Sequence, residues 1–185
     1  EAREVVVRSP WGPCRTHVRF AGQGPPLLLL HGLMTAGYSW RYVLEPLGAH
    51  FRLVIPDLPN AGRSERTEGG CRPVEIAQWL TALQHELGIR GCPIVGNSMG
   101  GYLAMVWALQ DPGAVSKVVN LHGPGFVEPR LHALKHVFRL PGAHRLLRAL
   151  IESDPRRWVQ KNVHYYDESL KSLEELDEYA APLLG

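Results

Sequence analysis

The chain has 185 residues, of which 45% are hydrophobic and 21% are charged, proportions typical of an ordinary globular protein with one core. Its 20 Lys and Arg residues nearly balance its 18 Asp and Glu residues, and the net charge of +2 does not indicate nucleic acid or an anionic membrane as a partner. No apolar run approaches the roughly 20 residues of a membrane span. Three cysteines without a C-x-x-C pair, and no visible signal peptide, favour a reducing, cytoplasmic location.

The first two thirds of the chain alternate between β-rich and helical patterns. Two short β-rich runs, Val5–Val7 and Thr16–Phe20, flank a turn-rich link and predict a hairpin. The run Leu27–Leu30 is apolar on both faces, which is typical of a central strand in a covered parallel sheet. This alternation predicts an α/β fold with a mainly parallel sheet and flanking helices. The further elements expected are helices over Tyr38–Leu47, Pro73–Leu87 and Met99–Gln110, and strands over Phe51–Pro56, Pro93–Val95 and Val115–Leu121.

The character of the sequence changes after Gly125. No convincing strand pattern occurs between Val127 and Leu184, whereas apolar residues recur there at helical spacing. We therefore divide the chain into an α/β core over residues 1–125 and a helical region over residues 126–185. Helices are expected around Leu131–Phe138, Leu146–Ile151, Trp158–Val163 and Ser169–Tyr179.

The segment Gly96–Gly100 reads G-x-S-x-G, with Ser98 at its centre. The motif alone is weak evidence, but here it follows a short apolar strand and opens a helix rich in Ala and Leu, which is the setting of a nucleophile elbow. A nucleophile on so sharp a turn needs neighbours without bulk, and Gly96, Gly100 and Gly101 meet that need. The alternative interpretation is a serine that caps the N-terminus of the helix.

Three motifs in this order and spacing resemble the α/β-hydrolase fold family over about residues 5–125. They are strand-HG at His31-Gly32, D-x-x-x-x-G-x-S from Asp57 to Ser64, and strand-GNSMGG-helix from Gly96. GNSMGG resembles the carbon–carbon bond (meta-cleavage-product) hydrolases and many small-ester carboxylesterases. A nucleophilic Ser rather than Asp argues against haloalkane dehalogenases and epoxide hydrolases. The helical region over residues 126–185 lies where this family inserts its cap domain.

The resemblance implies a site around the Ser98 nucleophile. The backbone N–H groups of Leu33 and Met99 are the expected oxyanion donors, and we interpret His31 as a loop buttress rather than the general base. Asp57 is expected to organise its loop, and Asn60 replaces the usual Gly there because Asn tolerates positive φ. No metal or organic cofactor is implied, since no His/Cys/Asp cluster has ligand spacing. Further pocket or support residues are His31, Gly32, Met34, Asn97 and His122. Candidates for an apolar pocket lining are Met34, Met99, Trp107 and Phe126. Simple core packing is the other interpretation of Met34, Trp107 and Phe126.

The rest of the triad does not appear at its expected places within these residues. The family order is Ser, then acid, then His, so we expect the acid and the His beyond residue 185. Some relatives carry the acid after the strand that precedes the cap, but here that strand ends Asn120-Leu121-His122-Gly123, without a carboxylate. The histidines of the helical region, which are His132, His136, His144 and His164, are interpreted as surface or lid residues.

The sequence leaves three functional hypotheses. The first is a serine hydrolase that cleaves a small hydrophobic carboxylic ester, or a related carbonyl substrate, through an acyl-enzyme on Ser98. The second is a carbon–carbon bond hydrolase, which uses the same elbow. The third is an inactive truncated or split fragment that acts as a ligand- or partner-binding scaffold, with an exposed sheet edge available for self-association.

Overall fold

The computed structural model describes residues 1–68, 71–123, 136, 140–163, 165 and 167–184. The chain forms two compact units, Glu1–Gly123 and Pro124–Gly185. Among the described residues, no helix combines the length and the apolar character that crossing a membrane would require.

The first unit is built on a six-stranded sheet with the order β1-β2-β4-β3-β5-β6. The first two strands form the predicted antiparallel hairpin, and β2 also pairs antiparallel with β4. The pairs β3–β4, β3–β5 and β5–β6 are parallel, which confirms the α/β fold with a mainly parallel sheet. The strands are β1 (Ala2–Ser9), β2 (Gly12–Ala21), β3 (Pro26–Leu30), β4 (Arg52–Pro56), β5 (Ile94–Asn97) and β6 (Val118–Leu121).

The central strand β3 is buried on both faces, as its uninterrupted apolar sequence predicts. Leu28 and Leu30 belong to a core cluster that also contains residues of the long helices, whereas Leu27 and Leu29 belong to a cluster with Trp40 on the other face. Two covered faces account for a strand without polar alternation. The helices of this unit are a 3₁₀ helix (Gly37–Val43), α1 (Leu44–Gly48), α2 (Pro73–Leu87) and α3 (Met99–Gln110).

Helix α2 begins and ends where its sequence predicts. Pro73 occupies the first turn, where its missing N–H has no intrahelical partner to lose. Gly88 ends the helix in the left-handed conformation, with φ 63°. Its apolar stripe packs on α3, where the fully buried Trp107 donates its Nε1–H to Thr81 Oγ1 at 2.9 Å. Trp107 is therefore a core residue, and core packing is the correct one of its two interpretations.

The second unit is helical over its described residues, as the spacing of its apolar residues predicts. Two helices have side-chain caps, since Asp154 accepts from Arg157 N–H and Ser172 accepts from Glu175 N–H. The expected helix at 131–138, except for the exposed helical residue His136, and the residue Phe126 lie outside the described residues, as do the side chains of His132, His144 and His164. The elements are α4 (Ala143–Ser153), α5 (Pro155–Asn162), a 3₁₀ helix (Glu168–Leu170), α6 (Leu173–Ala180) and a 3₁₀ helix (Ala181–Leu184).

Two leucines, one buried and one exposed, test how much core packing contributes to the stability of the first unit. Leu80 on α2 is completely buried, whereas Leu109 on α3 is 83% exposed. Leu80→Ala removes core contacts and leaves a cavity, so we expect a loss of about 2–5 kcal/mol in the free energy of unfolding. Leu109→Ala is the matched control and is expected to change it by less than about 0.5 kcal/mol. Urea unfolding followed by circular dichroism measures both, and equal effects would contradict this description of the core.

Candidate active site

Ser98 lies on a strained turn between β5 and α3. Its backbone has φ 51° and ψ −116°, a combination that non-glycine residues rarely adopt. The turn is held on both sides, because Ser98 N–H donates to Leu121 O at 2.8 Å and Ser98 O accepts from Tyr102 N–H at 3.1 Å. The Ser98 hydroxyl makes no capping hydrogen bond to the helix. The geometry therefore differs from that of an ordinary N-cap serine and is typical of a nucleophile elbow.

The glycines around Ser98 allow backbone to touch backbone. A Cβ atom on Gly96 would lie 2.5 Å from the carbonyl carbon of Gly100 and from the nitrogen of Gly101. A Cβ atom on Gly100 would lie 2.7 Å from His31 O and would also collide with the preceding carbonyl of β3. Real Cβ atoms do not come so close, so the first turn of α3 can sit on the end of β3 only without side chains at these positions.

Gly101 lies against β5, since a Cβ atom on it would be 2.9 Å from Gly96 O, and it has a second neighbour on β6. Its missing side chain leaves space for the Asn120 carboxamide, whose Oδ1 would collide with a Cβ atom on Gly101. Asn120 accepts a hydrogen bond from Gly123 N–H at 2.7 Å, so it also shapes the exit from β6. Sequence reasoning did not identify this role of Asn120, because the contact joins residues that are distant in the chain.

The loop after β3 lies directly against the elbow. An ideal Cβ on Gly32 would be 3.4 Å from Ser98 Cβ and 3.6 Å from Asn97 Nδ2. The structure therefore brings together Gly32, Asn97 and Ser98, which were predicted to share a site. Of the other predicted site residues, the oxyanion-donor candidate Leu33 and the pocket candidate Met34 follow Gly32 in this loop. His122 follows Leu121, the residue that accepts from Ser98 N–H.

Two backbone N–H groups near Ser98 have no protein acceptor in the described part of the chain. Met99 is the first residue of α3, and the first N–H groups of a helix have no intrahelical acceptor. Leu33 N–H likewise donates to none of the described groups. Such donors, together with the positive end of the helix dipole, favour a negatively charged oxygen beside Ser98.

His31 is completely buried and uses both ring nitrogens for structure. Its Nε2 accepts from Leu58 N–H at 2.9 Å, so the ring hydrogen resides on Nδ1, which lies 2.8 Å from Gly32 O and donates to it. Burial lowers the pKa of His31 from its usual 6.5, because desolvation disfavours the imidazolium. A neutral imidazole with both nitrogens engaged joins the loop after β3 to the loop after β4 and has no free nitrogen with which to act as a base.

Asp57 is the centre of the second loop. Its side chain is fully buried, and Oδ1 accepts from Gly37 N–H at 2.7 Å and from Arg19 Nη1–H at 3.0 Å. Its Oδ2 accepts from Arg63 N–H at 2.9 Å. Both oxygens therefore accept hydrogen bonds, from the Arg19 guanidinium and from backbone N–H groups. The carboxylate organises the loop, in accord with its predicted role. The predicted positive φ of Asn60 is confirmed at 63°.

Two loop features were not anticipated from the sequence. Met34 has φ 61°, although a methionine carries no signal for the left-handed region. Thr35 donates its hydroxyl to Gly32 O at 3.0 Å, across the turn that Met34 makes. A Thr three residues after a turn glycine is a weak signal for such a side-chain-to-backbone bond. Within the described ranges, no group of three or more His, Cys, Asp or Glu side chains has the arrangement of a metal site.

Gly100 provides a test of the close approach at the elbow. In an ordinary helix Gly→Ala stabilises by about 0.5–1 kcal/mol. Here we expect Gly100→Ala to destabilise the protein by about 1–3 kcal/mol or more, because the added methyl overlaps strand carbonyls. The matched control is Gly113→Ala, whose Cβ would find its nearest neighbour, an Arg90 side-chain atom, at 3.4 Å. Denaturant unfolding of both variants measures the difference, and a stabilised Gly100→Ala protein would refute the packing argument.

The buried His31 is expected to make stability depend on pH. Below its unfolded pKa of 6.5 the unfolded chain binds a proton that the native state, whose pKa is lower, does not bind. The free energy of unfolding should therefore fall as the pH drops below 6.5, by up to about 1.4 kcal/mol per pH unit, until the native pKa is reached.

His31→Asn, which does not titrate, should show a shallower dependence between about pH 7 and pH 5 in urea unfolding. Burial also lowers the pKa of His17, which makes stability fall with pH in the same direction. This effect is present in both the wild type and His31→Asn. The difference between the two slopes therefore isolates His31. Identical slopes would show that His31 takes up its proton equally in the folded and unfolded states.

Comparison with known proteins gives a consistent family. Residues 25–176 match the α/β hydrolase fold family. A soluble epoxide hydrolase from Corynebacterium sp. (strain C12) is 29% identical over 177 residues, which are 89% of this chain and 62% of that enzyme. A pimeloyl-[acyl-carrier protein] methyl ester esterase from Vibrio vulnificus (strain YJ016) is 41% identical over 105 residues, which are 57% of this chain and 39% of that enzyme.

Solved structures agree with this assignment. The epoxide hydrolase CorEH without ligand superimposes with a TM-score of 0.82 at 26% identity, over 100% of this chain and 69% of that one. The chain spans less than two thirds of the length of the two curated relatives, 62% and 39% respectively. The family match covers residues 25–176, which is most of the chain, and the chain therefore belongs to the α/β-hydrolase fold family.

Proposed function

We propose that Ser98 is the nucleophile of a serine hydrolase that cleaves a carboxylic ester through an acyl-enzyme. The observation that carries this proposal is the strained elbow of Ser98, whose hydroxyl is not used as a helix cap. The N–H groups of Met99, at the start of α3, and of Leu33, in the loop after β3, also support the proposal, because neither donates to a described group. A half-buried serine on such a turn is reachable by substrate and yet held in one backbone geometry.

The reaction proceeds by the usual two steps of acyl transfer. Ser98 Oγ attacks the ester carbonyl carbon while a histidine accepts the hydroxyl proton, and the carbonyl oxygen becomes an oxyanion between the N–H groups of Leu33 and Met99. The alcohol leaves with the proton from that histidine. Water, deprotonated by the same histidine, then attacks the acyl carbon. The bond to Ser98 Oγ breaks, Ser98 regains the proton from the histidine, and the carboxylic acid is released. The order of the triad in this family places the histidine and its carboxylate after the helical unit.

The nucleophile favours an ester over an epoxide as the substrate. In this family an Asp nucleophile at the elbow is typical of epoxide hydrolases, whereas this chain has Ser98 at that position. The esterase from Vibrio vulnificus is 41% identical over its matched region, and the epoxide hydrolase from Corynebacterium is 29% identical over a longer one. Leu33, which follows Gly32, is 65% exposed, and an exposed leucine in this loop supports a substrate with a small hydrophobic acyl or alcohol group.

Two tests separate the esterase from the carbon–carbon bond hydrolase and from the inactive scaffold. A panel of p-nitrophenyl esters and a vinylogous diketone separates the first from an esterase, because the two enzymes cleave different bonds although both reactions begin at the same serine. A fluorophosphonate probe separates the scaffold from both, because it phosphonylates a serine only when the hydroxyl is activated.

Ser98→Ala is expected to abolish both labelling by a fluorophosphonate and hydrolysis of p-nitrophenyl esters in the full-length protein. Loss of a nucleophilic serine lowers kcat by roughly 10⁴- to 10⁶-fold, because only binding and the oxyanion donors remain. Intact-protein mass spectrometry locates the adduct, and steady-state kinetics measures the rate.

Ser116→Ala is the matched control, since Ser116 is an exposed serine in the loop before β6. It should leave both readouts unchanged. Turnover that survives in Ser98→Ala would exclude Ser98 as the nucleophile. A wild-type protein that neither reacts with the probe nor hydrolyses any ester would favour the scaffold hypothesis.

A further inference from the structure

The carbonyl of Gly32 is unusual in accepting two side-chain hydrogen bonds within one short loop. His31 Nδ1 lies 2.8 Å from it and Thr35 Oγ1 lies 3.0 Å from it. The two donors come from the residue before Gly32 and from the third residue after it. A carbonyl that accepts from two side chains is restrained against rotation of its peptide plane more strongly than one bond alone would restrain it.

The orientation of this carbonyl also determines the orientation of Leu33 N–H. The two groups belong to one planar peptide, and in a trans peptide the C=O and N–H point in opposite directions. The donors of His31 and Thr35 therefore hold the Leu33 N–H on the side of the peptide away from themselves. That N–H has no acceptor among the described groups, and its peptide follows Gly32, whose Cα lies beside Ser98.

The two donors are anchored in different ways. His31 is buried and fixed from behind by Leu58 N–H at 2.9 Å, so its donation to Gly32 is part of the fold. Thr35 is half-buried, and its hydroxyl reaches back to Gly32 because Met34 reverses the chain with φ 61°. Thr35 is therefore the restraint that can be removed while the His31 anchor stays in place.

We infer that Thr35 is a positioning residue for oxyanion stabilisation: its hydroxyl holds the Gly32–Leu33 peptide so that Leu33 N–H faces the developing oxyanion. This inference rests on the proposed function, because it assigns Leu33 N–H to that oxyanion. Thr35 itself does not touch the reacting atoms. Its contribution belongs to the transition state and the tetrahedral intermediate, since the ground-state ester carries no full charge on its carbonyl oxygen.

The test compares Thr35→Val, which keeps the shape but loses the donor, with Thr35→Ser, which keeps the hydroxyl. In the full-length protein, Thr35→Val should lower kcat for p-nitrophenyl esters by about 10-fold or more while KM changes less than about 2-fold. The expected loss is smaller than the roughly 100- to 1000-fold cost of deleting an oxyanion donor, because Leu33 N–H is still present. Thr35→Ser should retain kcat within about 3-fold of the wild type.

An alkyl boronic acid provides a second readout, since it forms a tetrahedral adduct on an activated serine. Its affinity should fall in Thr35→Val by the same factor as kcat/KM, because both depend on the charged oxygen. A residue that merely stabilised the loop would alter the melting temperature or KM without this correspondence. Thr35→Ala is the second variant, to be used if the valine protein fails to fold, and it should show the same loss.

Unchanged kcat and boronate affinity in a folded Thr35→Val or Thr35→Ala protein would overturn the inference and leave the proposed function standing. An equal loss in Thr35→Ser would overturn it as well, because the hydroxyl would then not be the feature that matters. Failure of the proposed function is visible before any comparison of variants, as a wild-type protein that neither hydrolyses esters nor binds the boronate. That outcome removes the role of Thr35 with it.

Discussion

The close approach of the first turn of α3 to the ends of β3 and β5 is the constraint on which the candidate site depends. Two backbone segments are in direct contact there, and a methyl group on Gly96 or Gly100 would overlap the backbone of the facing segment. Such an approach requires a turn between β5 and α3 that is too sharp for ordinary backbone angles. Ser98, the residue at this turn, has φ 51°. A strained residue of this kind costs about 1–3 kcal/mol, so the surrounding packing must compensate for it.

The same approach brings two unrelated sets of backbone donors side by side. The start of α3 has N–H groups without intrahelical acceptors, and the end of β3 leads into the loop that contains Leu33 N–H. Neither set would bind an anion strongly alone, since isolated donors in water exchange one partner for another at little gain. Converging donors fixed in advance are more effective, because no reorganisation is needed when the charge develops.

The loop after β3 owes its shape to buried polar groups rather than to regular secondary structure. His31 connects it to Leu58, and the neighbouring Asp57 connects it to Gly37. A fully buried carboxylate is tolerated only when charged and backbone donors surround it, and Arg19, with a side chain 19% exposed, supplies the charge at 3.0 Å. The loops after β3 and β4 are consequently one structural element, although 26 positions separate His31 from Asp57 in the printed sequence.

Much of the fold could be predicted from local patterns, because those patterns reflect local physics. The bounds of α2 follow from Pro73, Gly88 and a helical apolar stripe, and the Asn60 turn follows from a side chain that tolerates positive φ. The elbow could be located because steric exclusion leaves a visible trace in the form of glycines. The turn at Met34 could not be predicted, because a methionine gives no sequence signal for a positive φ.

Long-range polar contacts were the other feature beyond the reach of sequence reasoning. Arg19 is one of many arginines, and nothing in its neighbourhood indicates that Asp57 is its partner. Asn120 gave no sign that it would fill the space left by Gly101. The sequence left two interpretations of Trp107 open, and its burial and its bond to Thr81 separate the core role from the pocket role. Such assignments need a fold before the partners can be known.

Likeness to epoxide hydrolases and the serine at the elbow are compatible, because they concern different physical requirements. The scaffold constrains the glycines that flank the turn and leaves the reactive atom at its centre free to vary, so similarity of fold carries little information about that atom. A carboxylate at this position is ionised at neutral pH, whereas a serine hydroxyl must lose its proton during the attack.

The choice of serine therefore adds two demands that a carboxylate nucleophile acting on an epoxide does not make in the same form. A base must take the hydroxyl proton, and donors must hold the oxyanion that forms when a carbonyl is attacked. Under the proposed function, the N–H groups of Leu33 and Met99 would meet the second demand, and the bonds of His31 and Thr35 to Gly32 O would restrain one of them. In the proposed acyl transfer, such a restrained loop would keep one donor oriented before the charge develops.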